Sequence, residues 1–111
     1  MRHRAELRDR AALFAALGDE TRLRIVVRLA AGAPLSIRRL AEGTTLTRQA
    51  ITKHLHVLEG AQLIRGARQG REQLWELNPR QLAEARRALD RIAQEWDARL
   101  LRLKETLERE E

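Results

Sequence analysis

Apolar residues in the first part of the chain recur every three or four positions, which is the spacing of one buried helical face. The first helix is predicted over residues 5–17 and ends at Gly18, with its inward positions at Leu7, Ala11, Phe14, Ala15 and Leu17. The second is predicted over residues 20–31 with Asp19 as N-cap, and its inward positions are Leu23, Val26, Val27 and Ala30.

Two further helices follow a break at residues 32–34, which contain glycine and proline. A short third helix is predicted over residues 36–42, with Ile37, Leu40 and Ala41 inward. After a turn at residues 43–45, Thr47 is a good N-cap for a fourth helix, in which Ile51, Leu55 and Leu58 form one buried stripe. A short helix, a turn containing glycine and a second helix form a helix-turn-helix, here over about residues 36–60.

The exposed side of the fourth helix, which we call the reading face, consists of Gln49, Thr52, Lys53 and His56 with Arg48 at its edge. It carries no carboxylate, since Glu59 comes only after it. A face that contacts phosphates and base edges is expected to exclude anions. Taken alone, this helix is equally compatible with an ordinary surface helix, and the neighbouring segments decide in favour of DNA.

The period changes to that of strands at about residues 63–77. Strands are predicted over residues 63–67 and 72–77, with Gly70 in the turn between them and Trp75 and Leu77 on one face. A basic hairpin directly after a helix-turn-helix is typical of a wing that holds the DNA backbone. The other interpretation is a surface hairpin with scattered arginines. The predicted wing contacts are Arg65, Arg68, Gln69 and Arg71, and Arg38 and Arg39 of the third helix are also predicted to reach phosphate.

Asn78 and Pro79 are a natural N-cap and first residue for a last helix over residues 79–108. Its apolar positions, which we call the apolar seam, are Leu82, Ala85, Leu89, Ile92, Trp96, Leu100, Leu103 and Leu107. A helix this long exceeds a domain this small, so we expect the seam to pair two copies rather than to pack only on its own domain. The predicted dimer interface comprises Leu7, Phe14, Leu82, Leu89, Ile92, Trp96, Leu100, Leu103 and Leu107.

Length and charge agree with a single domain over residues 1–111 that binds nucleic acid. The formal net charge is +6 and the pI is about 11.3. All of this excess lies in residues 1–78, whereas residues 79–111 are neutral. There is no cysteine, no apolar run long enough to span a membrane and no secretory signal, so a soluble cytoplasmic protein is expected.

Three motifs together resemble the winged helix-turn-helix repressors of the ArsR/SmtB (arsenic-repressor) family. They are LFAALGDETRLRIVVRL at residues 13–29, LTRQAITKHLHVLEGAQLI at residues 46–64 and RQGREQLWELNP at residues 68–79. The last helix is similar to that of a subgroup with a long final helix containing tryptophan. The resemblance implies a mainly α fold with a small β-hairpin, of order α-α-α-α-β-β-α, and a long C-terminal dimerisation helix.

The family's metal sites are not matched. Where metal-responding members carry paired cysteines, this chain has Ser36 and Arg38, and residues 79–111 lack the histidines of another family site. Acidic residues of the last helix offer only oxygen ligands and are expected to pair with arginines; they are Asp90, Glu95 and Asp97. His54 and His56 point in different directions, and His54 is expected to be a hydrogen-bonded core residue. No metal or cofactor is expected, and no catalytic set is present, which argues against an enzyme.

These observations predict a homodimeric, sequence-specific DNA-binding repressor that recognises an imperfect palindrome in double-stranded DNA. With Thr47 at the start of the helix, the base-edge and groove contacts would be Arg48, Gln49, Thr52 and Lys53, and His56 would contact a phosphate. The competing hypothesis is a winged-helix module whose basic face binds an acidic protein partner. Whether an effector ligand binds along the dimer interface, or the protein simply represses its own gene in proportion to its concentration, stays open.

Overall fold

The computed structural model describes residues 2–110, so the two ends of the predicted domain, Met1 and Glu111, lie outside it. Five helices and one hairpin follow in the order α1 Arg2–Leu17, α2 Glu20–Ala30, α3 Ile37–Ala41, α4 Arg48–Gly60, β1 Ile64–Gln69, β2 Glu72–Leu77 and α5 Pro79–Arg109. The predicted fold class, mainly α with a small hairpin in the winged helix-turn-helix order, is confirmed.

Side-chain caps determine where four of the helices begin, because each supplies an acceptor for a backbone N–H that has no partner within the helix. The caps predicted at Asp19, Thr47 and Asn78 are all present. Ser36, predicted as the first residue of α3, is its N-cap instead, and the helix itself has only five residues.

The core lies where α1, α2 and α3 meet α4 and the hairpin. The predicted stripe of α4 is confirmed, since Ile51, Leu55 and Leu58 are all at most 1% exposed. Trp75 of β2 and Ala85 of α5 complete the core from the C-terminal side. The α4 helix is therefore held by one face, and its other face is directed to solvent.

The predicted inward faces of α1 and α2 are largely wrong. In α1 the buried residues are Leu13 and Ala16, whereas the predicted Leu7, Ala11 and Ala15 are exposed and Phe14 and Leu17 are half-buried. In α2, Val26 is buried as predicted, together with Ile25 and Leu29, but Leu23, Val27 and Ala30 are exposed. Residues 11–17 are apolar at every position, and α2 has apolar side chains on two faces, so packing rather than period selects the face that is buried.

The hairpin is joined to the helices by one contact that the pattern does not reveal. Strand β1 begins and ends later than the predicted 63–67, because pairing continues to Gln69 opposite Glu72. Gly70, at φ +65°, occupies the turn where a positive φ is expected. Leu35 forms an isolated bridge with Trp75, with N···O distances of 2.8 and 3.0 Å, and thereby fixes the wing beside α3. A strand of one residue produces no repeating pattern of apolar positions, so hydrophobic periodicity could not predict this bridge.

Helix α5 extends far beyond the rest of the molecule. It has 31 residues, about 46 Å at 1.5 Å per residue, and every side chain from residue 89 to residue 110 is exposed. The radius of gyration is 19.1 Å, against about 13 Å for a compact chain of this length. Within residues 2–110 no helix is both long and apolar enough to cross a membrane.

Candidate nucleic-acid interface

The reading face is presented by α4, whose position is determined by the cap at its start and by its buried side. At its start, Thr47 Oγ1 accepts a hydrogen bond from Ala50 N at 3.1 Å, and the buried stripe anchors the side facing the core. Arg48, Gln49, Lys53 and His56 are exposed, and Thr52 is half-buried. A rigid helix with one buried face presents its other side chains in a defined order, as direct readout of bases requires.

Four of the five reading-face residues line one shallow groove of about 460 Å³, and none of the lining side chains is acidic. They are Arg48, Gln49, Thr52 and Lys53. His56 is exposed but lies outside this groove, so the structure separates it from the other four. The Thr52 hydroxyl donates to the Arg48 carbonyl at 2.7 Å, which leaves its lone pairs and methyl group for a ligand.

A second groove, of about 490 Å³, lies between α3 and the wing. It brings Arg38 and Arg39 together with Gln69, although some thirty residues separate them in the chain. Glu72 also lines this groove and places one carboxylate among the predicted phosphate contacts. The juxtaposition of α3 and the wing depends on the bridge between Leu35 and Trp75.

The wing arginines are not equivalent. Arg65 Nε donates to Glu76 Oε1 at 2.9 Å across the strand pair, so its charge already has an anionic partner. Arg68 and Arg71 are exposed near the turn, and neither forms an ion pair with the residues that the structure describes. Two of the three predicted wing cations are therefore available to an external phosphate.

The apolar seam divides into two parts. Leu82 and Ala85 pack against the protein's own core, together with Phe14 of α1. From Leu89 to Leu107 the seam is uncovered, and Trp96 is 56% exposed. Leu101, which the pattern did not single out, is equally open. Burying a tryptophan removes roughly 150–250 Å² from water, so contact with a partner on this surface would be energetically favourable.

Ion pairs along α1 and α5 account for several charges. Arg10 of α1 pairs with Glu84 of α5 at 2.9 Å. A hydrogen bond from Arg87, with the nearby charges of Arg87 and Arg10, lowers the pKa of Glu84. Of the three acidic residues expected to pair with arginines, Asp90 lies 4.0 Å from Arg86, whereas Glu95 and Asp97 form no ion pair within residues 2–110. No group of three potential metal ligands occurs in the part of the chain that the structure describes.

The pattern gave no reason to single out Arg22, which lies at the corner between α1 and α2. Its guanidinium contacts backbone carbonyls of α1 and the His54 ring of α4. Its only sequence signal is its place three residues after the N-cap Asp19, which does not indicate a long-range contact. His54 is hydrogen-bonded as expected, but it is half-buried rather than a core residue.

Comparison with known proteins relates most of the chain to regulators of transcription. Residues 17–67 match a helix-turn-helix domain family. The HTH-type transcriptional regulator Rv2034 of Mycobacterium tuberculosis is 42% identical over 84 residues, which are 76% of each chain. An ArsR-like transcriptional regulator from Rhodococcus sp. RHA1 superposes with a TM-score of 0.78 at 39% identity, covering 89% of this chain and 92% of that one.

A further solved structure shares the fold at lower identity. It is the homodimeric winged helix-turn-helix DNA-binding domain of Mb0332 from Mycobacterium bovis. Its TM-score is 0.66 at 23% identity, over 89% of this chain and 88% of that one.

Proposed function

The chain belongs to the ArsR family of winged helix-turn-helix transcriptional regulators, and from this premise we propose that it is a homodimeric repressor of an imperfect palindromic operator. The observation that carries the proposal is the groove on α4. Arg48, Gln49 and Lys53 lie there without a carboxylate among them, on a helix whose opposite side is fully buried. A surface of this composition suits phosphates and base edges. Contact with an acidic ligand, or with solvent alone, would not require the amide and hydroxyl side chains that also line the groove.

The base contacts follow from the chemistry of each side chain. Gln49 can bond adenine through both ends of its amide, and Arg48 or Lys53 can donate to guanine. Thr52 would accept from an amino group or contact a thymine methyl, because its own proton is directed to the Arg48 carbonyl. Arg38, Arg39, Arg68 and Arg71, with Gln69, would hold the backbone on either side, while Arg65 would contribute less because Glu76 neutralises it.

Dimerisation is supported by the uncovered part of the apolar seam. A lone helix exposing a tryptophan, an isoleucine and several leucines over 22 consecutive exposed residues is unfavourable in water. A two-fold axis through a pair of such helices buries the same surface on both copies. It also presents two reading faces, which suits half-sites in inverted order about one helical turn apart.

Selection of tightly bound duplexes from a random pool, with purified protein, tests the proposal. We expect the selected sequences to contain two inverted half-sites with centres about 10–10.5 base pairs apart. Replacing Arg48 or Gln49 with alanine should weaken operator binding by about 1–3 kcal/mol each, while binding to scrambled duplex changes little. Glu59→Gln, on the same helix but off the reading face, is the matched control. An equal loss on both duplexes would contradict base reading.

Repression itself needs a transcription assay. A template carrying the selected operator over a promoter should yield less transcript as the protein is added, and a template with scrambled half-sites should not. The promoter of the protein's own gene is a natural second template, because it tests autorepression directly. If no duplex sequence is preferred and an acidic protein partner is retained instead, the winged-helix interaction module is the correct function.

A further inference from the structure

The side chain of Arg22 connects three helices at one point. Its Nε donates to the Ala16 carbonyl at 2.7 Å and one terminal nitrogen to the Ala15 carbonyl at 3.4 Å, both at the C-terminal end of α1. The other terminal nitrogen lies 3.3 Å from Nδ1 of His54 on α4. A guanidinium suits this position, because the carbonyls at a helix C-terminus carry partial negative charge and its donors are arranged as a rigid fork.

The contact with His54 specifies a protonation state. Arginine has donors but no acceptor, so the 3.3 Å contact is a hydrogen bond only when Nδ1 of His54 carries no proton. A protonated Nδ1 would place a second donor and a second positive charge against Arg22. The carboxylate that could accept its proton is Asp19, whose Oδ2 lies 3.9 Å away. Protonation therefore exchanges the Arg22 bond for an Asp19 bond.

Within the residues that the structure describes, only the α1–α2 corner supplies charged partners to the ring. Among residues 2–110, the hydrogen bonds and ion pairs of His54 involve Asp19 and Arg22 and no charged group of α3 or β1. Helix α1 contributes backbone carbonyls, which Arg22 already occupies. Asp19 is itself constrained, because it caps α2 by accepting from Arg22 N at 3.0 Å. The ring must move towards Asp19 if it is to change partner.

We propose that Arg22 is a positioning residue for the reading face, and that protonation of His54, which exchanges its Arg22 contact for one with Asp19, displaces α4 from this position and weakens operator binding. The inference rests on the proposed function of the reading face. His54 lies between Lys53, which lines the groove of the reading face, and Leu55, which is fully buried, so its contact with Arg22 ties the helix that carries the base contacts to the α1–α2 corner. The same link connects α1, which packs against α5, to α4.

The sign of the effect distinguishes His54 from its neighbour His56. Imidazoles change charge between about pH 5 and 8. Protonation of the exposed His56 adds a positive charge on the reading face and strengthens binding to any duplex. Protonation of His54 acts through the orientation of α4, so it weakens binding to the operator more than binding to scrambled duplex.

The experiment measures operator and scrambled-duplex affinity at constant ionic strength, from about pH 8 to about pH 5.5, for the full chain and its variants. His54→Gln supplies an amide oxygen that accepts from Arg22 at every pH. We expect it to bind the operator as the unchanged protein does at pH 8. At the acid end the unchanged protein should bind about five-fold more weakly than His54→Gln, the size expected when one hydrogen bond is lost.

Arg22→Lys keeps the positive charge but lacks the rigid, forked arrangement of guanidinium donors. It should bind the operator about five-fold more weakly at pH 8, with little further change on acidification and unaltered binding to scrambled duplex. Circular dichroism confirms that each variant is folded. If the ratio between the unchanged protein and His54→Gln does not depend on pH, the switch is refuted even though operator preference persists. Absence of any operator preference in the unchanged protein would instead refute the proposed function.

Discussion

Single side chains hold α4 against the core. The fully buried stripe of α4 shows how much free energy of unfolding depends on one of them. Leu55 belongs to the helix that carries the reading face, and its side chain is fully buried in the core. Truncating a side chain in such a site loses its burial and leaves a cavity that the surroundings fill only in part.

Leu55→Ala should therefore lower the free energy of unfolding by about 2–5 kcal/mol. Val57→Ala on the same helix is the control, because Val57 is 45% exposed and its truncation should change stability by no more than about 0.5 kcal/mol. Urea denaturation followed by circular dichroism measures both. Equal effects of the two substitutions would show that α4 does not pack on the core as described.

Asp19 makes a pH-dependent contribution to stability. The hydrogen bond from Arg22 N, with the charges of Arg22 and His54, lowers its pKa below the ordinary value of 3.8. A carboxyl with a lowered pKa in the folded state stabilises it above the ordinary value, and this contribution is lost as pH falls through the lowered one.

Asp19→Asn keeps a good N-cap and removes only the charge. We expect it to be less stable than the unchanged protein at neutral pH, and the difference should shrink as the pH falls below about 3.8. Asp19→Ala should be the least stable of the three, because it also loses the cap. A constant difference between unchanged protein and Asp19→Asn at all pH values would contradict the lowered pKa.

At the scale of elements, the wing and α3 act as one unit, because the bridge between Leu35 and Trp75 connects them. That connection creates the groove in which Arg38 and Arg39 face Gln69. The ion pair with Glu76 makes Arg65 different from Arg68 and Arg71, although all three lie on the same hairpin. A count of charges along the sequence does not distinguish these three arginines.

Removing Arg68 or Arg71 should reduce the slope of log affinity against log salt by about 0.9 each, since each would release about one phosphate counterion fewer. Arg65→Ala should reduce it by less, because Glu76 competes for its guanidinium. Arg86→Ala, on α5, is the control for loss of one surface charge. Fluorescence anisotropy over a salt series measures the slopes. An unchanged slope for Arg68 and Arg71 would exclude the wing from the interface.

At the scale of the whole molecule, the extents of 70 × 35 × 21 Å describe a small domain with a long projecting helix. The ion pair between Arg10 and Glu84 joins α1 to the base of α5, so both helices share one surface. Phe14 and Leu82 pack partly on the core, so these two predicted interface residues also contribute to the fold of the single chain.

Trp96→Glu should convert the proposed dimer to monomers at micromolar concentration, because it places a charge at the centre of the uncovered part of the apolar seam. Operator affinity should fall with it, since one half-site alone would be bound. Gln94→Glu adds the same charge on the opposite side of α5 and should leave the proposed dimer intact. Sedimentation velocity distinguishes the species. A monomeric unchanged protein would contradict the proposed assembly.

The amino-acid sequence by itself determined the element order, three of the four side-chain caps, the buried stripe of α4 and the glycine turn of the wing. Each depends on local chemistry, a side chain bonding a backbone group a few residues away or a period read along one helix. The tertiary structure alone decided which faces of α1 and α2 are buried, how Leu35 bridges Trp75, and that Arg22 meets His54. Such features depend on contacts between residues far apart in the chain, and where several faces are apolar only the packing of neighbouring elements can choose between them.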